Sequence, residues 1–443
     1  MEDLFRLLTL QDSNTRVVLF GTTLLGVASA VIGSFAVLRR RSLMGDAVAH
    51  AALPGICVAF LVVGDRSFAA LMLGALVFGV LSTVFVAFVK SATRIKEDAA
   101  IALAIGGFFG LGMVLSRMIQ NAPTGNRAGL DTFIFGKAAS MVEGDAKLIA
   151  LVALVVVLTV VVLYKEFKLL CFDPDFAKSQ GWPAFALDLL LMALVCVCTV
   201  IGLPAVGVVL MVSMLVIPAV AARFWTDNLG RMLCFAAFFG GLAGALGTAM
   251  SATVPAPGAS LSRGWPTGPL ITIVAAAMFG VSMLVAPRRG IIADLVRRAL
   301  LRRRILTQNL LRSVYERLEP SGDLSLPWRA ADVARRAQVV KRAMRAGLVR
   351  PSAEGFALTA HGQESARQVV RAHRLWELFL IGEADIAPDH VDRDADQIEH
   401  VLPPAVLAQL ELKLAESGRL PIVAQIPVPA SPHPMSARGA GSK

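Results

Sequence analysis

No segment of this 443-residue chain spells GxxxxGK[ST], the loop that cradles nucleotide phosphates. The Gly136-Lys137 pair is followed by alanine and has no glycine at the required upstream position. A chain without that loop carries no nucleotide-hydrolysing motor of that type. Cysteine pairing is also missing. Cys57, Cys171, Cys196, Cys198 and Cys234 fall mostly in apolar runs without a CxxC spacing, which argues against a disulfide framework or thiolate metal site and for small core residues. The first sixteen residues hold Glu2, Asp3, Arg6 and Asp12, so they lack the form of a cleavable signal peptide. No internal duplication is visible, which argues against the inverted repeats of an ion-coupled secondary transporter.

What is abundant is apolar sequence: 56% of residues are hydrophobic, and the mean hydropathy is +0.66. Both exceed the values of soluble domains and place most of the chain in lipid. Apolar segments recur at residues 17–38, 51–63, 68–89, 99–118, 148–164, 186–203, 205–224, 232–250 and 269–286. A span needs about 20 such residues, and the second and sixth are short or interrupted, so the expectation is eight or nine transmembrane helices. Basic connections at 39–41, 90–96, 165–168, 223–231 and 288–289 follow alternate spans, and the positive-inside rule places them in the cytoplasm. The other connections, 64–67 and 253–268, then lie outside, and the C-terminal third is cytoplasmic. Residues 120–144 are too polar for a full span, although GLDTFIFGKAASM within them suits a half-helix lining a cavity.

Two local patterns carry chemistry. At SLMGDAVAHAALPG, residues 42–55, an acid and an imidazole stand four apart, Asp46 and His50, so a helix puts both on one face. An ionisable pair at the edge of a membrane segment is costly to keep, and a carboxylate with a neutral imidazole suits Mn²⁺, Fe²⁺ or Zn²⁺. A helix-end ion pair or interhelical contact is an equal alternative from these two residues. The second pattern is FDPDFAKSQGW, residues 172–182, whose Asp-Pro start and Gly181 stop enclose Asp173, Asp175, Phe176 and Lys178 as a short amphipathic cytoplasmic helix. It would offer a docking knob or form an ordinary loop. The small-residue runs GGFFGLG and GGLAGALG predict close helix packing, while Pro54, Pro204 and Pro218 predict kinks or ends.

RRRSLMGDAVAHAALPG, GLDTFIFGKAASM, FDPDFAKSQGW, GVVLMVSMLVIPAVAARF and WPTGPLITIVAAAMFGVSMLVAPRRG occur in the order found in the membrane permeases of ABC importers for manganese, zinc and iron. The chain resembles that family over nearly all of residues 1–290. The resemblance implies a homodimer or heterodimer of permeases in the bacterial inner membrane, an extracytoplasmic metal-binding protein that feeds it, and a separate ATPase docked on Asp173, Asp175, Phe176, Lys178 and Gly181. It also implies that Asp46 and His50 are transport ligands for the divalent metal.

Beyond a basic linker at 291–304 the composition turns soluble. Leu310, Leu311, Val314 and Leu318 mark one amphipathic helix, Val333, Val339, Val340 and Met344 another, and residues 346–362 alternate like a β-wing. His373 and Glu377 stand at i, i+4, and His390, Asp392, Asp394, Asp396, Glu399 and His400 add an oxygen-rich cluster suited to a divalent cation. LLRSVYERLE, VVKRAMRAGLVR, FALTAHGQESA, RAHRLWELFL and DADQIEH make residues 305–401 similar to metal-dependent repressors of the diphtheria-toxin and manganese type. Carried over by position, His373, Glu377, Asp396, Glu399 and His400 become regulatory metal ligands. Asp392 stands where iron-type members have histidine, and Asp396 gives the manganese-type pattern. Asn309 and Arg312 depart from the ligand pattern. The stretch at 328–347 is shorter than the family's helix-turn-helix, which argues against nucleic acid as a partner.

The expectation is an all-α polytopic membrane bundle with a winged-helix-like, mostly α cytoplasmic domain. Its parts are a permease (1–290), a linker (291–304), a regulator-like domain (305–420) and a disordered tail (421–443). The function expected is divalent-metal import, Mn²⁺ favoured over Zn²⁺ or Fe²⁺, gated by a fused metal sensor. A membrane-anchored, metal-responsive DNA-binding regulator is the alternative from another class.

Overall fold

The computed structural model describes residues 13–64, 67–121, 141–253, 265–329, 337–383, 404–416 and 428–429. It divides into two compact units, 1–294 and 295–443.

In the first unit the helices are α1 (Ser13–Leu38), α2 (Met44–Val63), α3 (Phe68–Ala92), α4 (Glu97–Asn121), α5 (Glu143–Val162), α6 (Tyr164–Phe172) and α7 (Pro174–Ser179). They are followed by α8 (Ala184–Val206), α9 (Val208–Trp225), α10 (Leu229–Thr253) and α11 (Thr267–Val285). Among the described residues eight helices are long and apolar enough to cross a membrane, and a shorter apolar stretch, Leu210–Trp225, lies in α9. The expected count of eight or nine therefore holds, but the short member is the seventh apolar segment and not the second or sixth. α2 and α8 are both full spans, with Pro54 and Pro204 inside them. Between α8 and α9 the chain turns at Gly207, whose φ of 82° favours a residue without Cβ.

α1 is the spine of this unit, packed against α5, α8, α9 and α10, while α2 packs on α3 and α4. Close approach explains the glycines at these crossings. A Cβ on Gly26 would stand 2.3 Å from the Gly240 carbonyl oxygen, and one on Gly240 would stand 2.2 Å from that of Gly26. Gly55 and Gly74 oppose each other in the same way across α2 and α3. The packing expected of GGLAGALG is therefore present. GGFFGLG differs: among the described residues a Cβ at Gly106, Gly107 or Gly110 would meet nothing within 4 Å, while Gly112 is packed against Leu53 and Pro54. The cysteine expectation also divides, since Cys57, Cys196 and Cys198 are buried but Cys234 is exposed. Of the expected half-helix only Met141 is described, and it is buried in the core.

The second unit continues α12 (Ile291–Leu318), followed by a 3₁₀ turn at Glu319–Ser321, α13 (Ala337–Arg345), β1 (Val349–Ser352), β2 (Gly355–Leu358), α14 (Ala360–Glu383) and α15 (Pro404–Glu416). Residues 291–304, the expected basic linker, form the first half of α12, so this arginine-rich run is helical. The β-wing is a two-stranded antiparallel hairpin with Val349 opposite Leu358, and Trp328 extends it by pairing with Phe356. Leu310, Leu311, Val314, Leu318, Val339 and Val340 fill the core, with Leu358 and Val370 from the wing and α14. Val333 lies outside the described residues. Two residues of the stretch expected to be a disordered tail are seated on this core: Val428 packs against it, and the Pro429 carbonyl accepts from Arg374 at 2.7 Å.

Candidate metal pathway and the buried polar cluster of the C-terminal unit

α2 starts at Met44 and buries an almost continuous surface of small residues, among them Gly45, Ala47, Val48, Ala49, Ala51 and Ala52. Asp46 and His50 interrupt that surface. Their side chains are 31% and 26% exposed, and the His50 Nε2 lies 3.3 Å from an Asp46 oxygen. The His50 ring meets the edge of Phe109 on α4, with centroids 4.8 Å apart. Asp46 sits in the first turn of α2, where the helix dipole favours a carboxylate. Pro54 has no N–H, so it cannot donate to the His50 carbonyl one turn earlier, and that oxygen loses its usual helical partner. One carboxylate oxygen and one imidazole nitrogen, partly exposed beside Phe109 of α4, are donors of the kind that suit a divalent cation.

Just ahead of α2, an ion network that sequence reading missed fixes the α1–α2 turn. Asp188 of α8 accepts from Arg39 at 2.8 Å and from Arg41 at 2.5 Å. Arg41 also pairs with Glu97 of α4, which Lys90 reaches at 2.5 Å. Arg39 further donates to the Leu170 carbonyl of α6 at 2.9 Å. The signal available in sequence was only a lone acid at the end of an apolar run.

The helix expected at 172–182 is α7. Asp173 caps it, accepting from the Phe176 N–H at 2.9 Å, Pro174 occupies its first turn, and Lys178 pairs with Asp175 at 3.0 Å. Gly181, at φ 81°, ends the turn that follows. Phe172, Phe176 and Trp182 are exposed around it, so the segment presents an aromatic knob.

In the second unit His373 and Glu377 meet as expected, with Nε2 3.0 Å from the carboxylate and both side chains 2% exposed. The other ring nitrogen, Nδ1, lies 3.1 Å from an Arg312 nitrogen, and Arg312 also donates to Glu316 at 2.9 Å. A guanidinium has donors only, so Nδ1 accepts, Nε2 carries the proton, and the ring keeps no lone pair for a metal. His373 and Glu377, the two described residues of the expected regulatory site, therefore do not fit a metal ion in this arrangement. Among the described residues no three His, Cys, Asp or Glu side chains are grouped to hold one. Asp392, Asp396, Glu399 and His400 lie outside the described residues. Beside this cluster Arg374 forks onto Glu319 at 2.7 and 2.6 Å. Burial alone would lower its pKa, but the Glu319 hydrogen bonds and charge turn the shift upward.

A bundle with eight helices, among the described residues, that are long and apolar enough to cross a membrane is the architecture of a multi-pass membrane protein. The ABC 3 transport family matches residues 11–286, and the chain belongs to that family. A second match, the metal binding and dimerisation domain of iron dependent repressors, covers residues 359–427. The manganese transport system membrane protein MntC of Bacillus subtilis (strain 168) is 37% identical over 428 residues, covering 94% of both chains. Its similarity therefore runs through both units. The zinc transport system membrane protein TroC of Treponema pallidum (strain Nichols) is 43% identical over 298 residues, which is 67% of this chain and 97% of that one. Among solved structures, PsaBC from Streptococcus pneumoniae in complex with Fab shares 27% identity at a TM-score of 0.55, over 65% of this chain and 96% of that one.

Proposed function

We propose that the chain is the permease subunit of an ATP-driven importer of a divalent transition metal, manganese first and zinc or iron as competitors. The Asp46–His50 pair carries this reading: two ligands 3.3 Å apart, held by a helix whose neighbour leaves Gly106, Gly107 and Gly110 bare. A second permease subunit, the same chain or a related one, covers that face and brings the remaining ligands. An extracytoplasmic metal-binding protein delivers the ion, and a separate ATPase docks on α7. Relatives whose names specify manganese and zinc support the substrate class. The alternating basic connections support an inner-membrane location with the C-terminal unit in the cytoplasm.

Asp46→Ala and His50→Ala should each abolish metal uptake by the assembled complex while the protein stays in the membrane. Normal uptake by both would refute the assignment. Uptake measured with competing Mn²⁺, Zn²⁺ and Fe²⁺ should leave Mn²⁺ the preferred ion, since ligand type overlaps among the three and geometry decides selectivity.

The C-terminal unit regulates the permease to which it is fused. Its match to a repressor domain supports this role. Uptake by a chain ending near residue 290 should lose a regulation that the full chain shows, and identical kinetics in both would remove the role.

A further inference from the structure

We propose that Arg312 is a built-in cation that takes the place of a divalent metal between α12 and α14. This goes beyond the import reading and does not depend on it.

The cluster has the parts of a metal site with a guanidinium at its centre. Arg312 is nearly buried, with its side chain 10% exposed. It projects from α12 and holds His373 of α14 through one nitrogen at 3.1 Å and Glu316 through another at 2.9 Å. His373 in turn holds Glu377 at 3.0 Å in a pocket that leaves both side chains 2% exposed. A metal ion linking a histidine and carboxylates of two helices would make the same connections. It would need the imidazole lone pair, and Arg312 occupies that lone pair. It would also have to enter beside a permanent positive charge, because a guanidinium does not deprotonate in proteins. The two helices are thus joined without an exchangeable ion, in an arrangement that a regulator of this type would otherwise reach by binding metal. Whatever signal the unit carries to the permease, occupation of His373 by metal is not its input.

The test uses the full chain, purified in detergent with Asp46→Ala and His50→Ala so that the other acid–imidazole pair is silent. Bound Mn²⁺ is measured by equilibrium dialysis with elemental analysis, and stability by tryptophan fluorescence on heating with and without Mn²⁺. In this parent, His373→Gln should leave bound Mn²⁺ unchanged, and Mn²⁺ should not raise the unfolding temperature of the C-terminal unit through that residue. Arg312→Ala or Arg312→Gln should add one saturable Mn²⁺ per chain, and adding His373→Gln to either should remove it. Arg312→Lys, which keeps the charge but not the fork, should gain no ion. A Mn²⁺ ion in the parent that His373→Gln releases overturns the proposal, as do folded Arg312→Ala and Arg312→Gln chains that gain none. If the arginine variants fail to fold, the parent and His373→Gln comparison still decides.

Discussion

Two pairs of side chains four residues apart, Asp46–His50 and His373–Glu377, have the same spacing and different surroundings. The first is part-exposed in a membrane helix at 3.3 Å, the second sealed at 3.0 Å, with Arg312 on the far ring nitrogen. The first keeps part of its surface exposed and the second is closed by its own chain. Arg374 adds a related lesson. Its fork onto Glu319 and its bond to the Pro429 carbonyl fasten the distant residue 429 to α14. Glu319→Ala leaves a nearly buried guanidinium without its carboxylate and should cost the C-terminal unit about 2 kcal/mol, read as a lower unfolding temperature by tryptophan fluorescence. An unchanged temperature would mean that the Pro429 contact suffices.

At the scale of elements, glycine content alone does not tell where helices touch. Gly26 and Gly240 bring α1 and α10 into backbone contact, whereas a Cβ at Gly106, Gly107 or Gly110 would meet nothing within 4 Å among the described residues. Gly240→Leu should therefore prevent the permease unit from folding, seen as loss of the monodisperse peak in size-exclusion chromatography. Gly106→Leu should leave that unit folded and instead reduce association with the proposed second permease subunit, seen by cross-linking. α7 is the opposite case, an element written almost wholly in local sequence, since Asp173, Pro174 and Gly181 set its start and stop. Asp173→Ala removes its cap, worth roughly 1 kcal/mol, and should lower the amount of ATPase that copurifies with the complex. Full recovery of the ATPase with Asp173→Ala and Phe176→Ala combined would exclude α7 as the dock.

For the whole molecule, the membrane unit and the regulator-like unit were both legible from composition, because nine apolar segments and then a charged, helical-period stretch cannot share one solvent. The family followed from five ordered motifs, and the match over residues 11–286 agrees with it. The lengths of α2 and α8 were less legible, because the polar Asp46 and His50 interrupt the apolar run at the start of α2 and Pro204 reads locally as the end of α8, while both helices are continuous through Pro54 and Pro204. The Arg39–Asp188–Arg41–Glu97 network was not legible at all, since its members come from three separate stretches.

The sequence alone determined what depends on neighbours along the chain: the class of solvent, the period of each helix, the caps of α7, and the spacing that puts Asp46 and His50 on one face. The tertiary structure decided what depends on partners far apart in the chain. It chose which glycines carry a helix crossing and which lie bare. It also placed Arg312, 61 residues before its partner, on the lone pair of His373. Periodicity is a property of one element, and a hydrogen bond between two elements exists only once both have been packed.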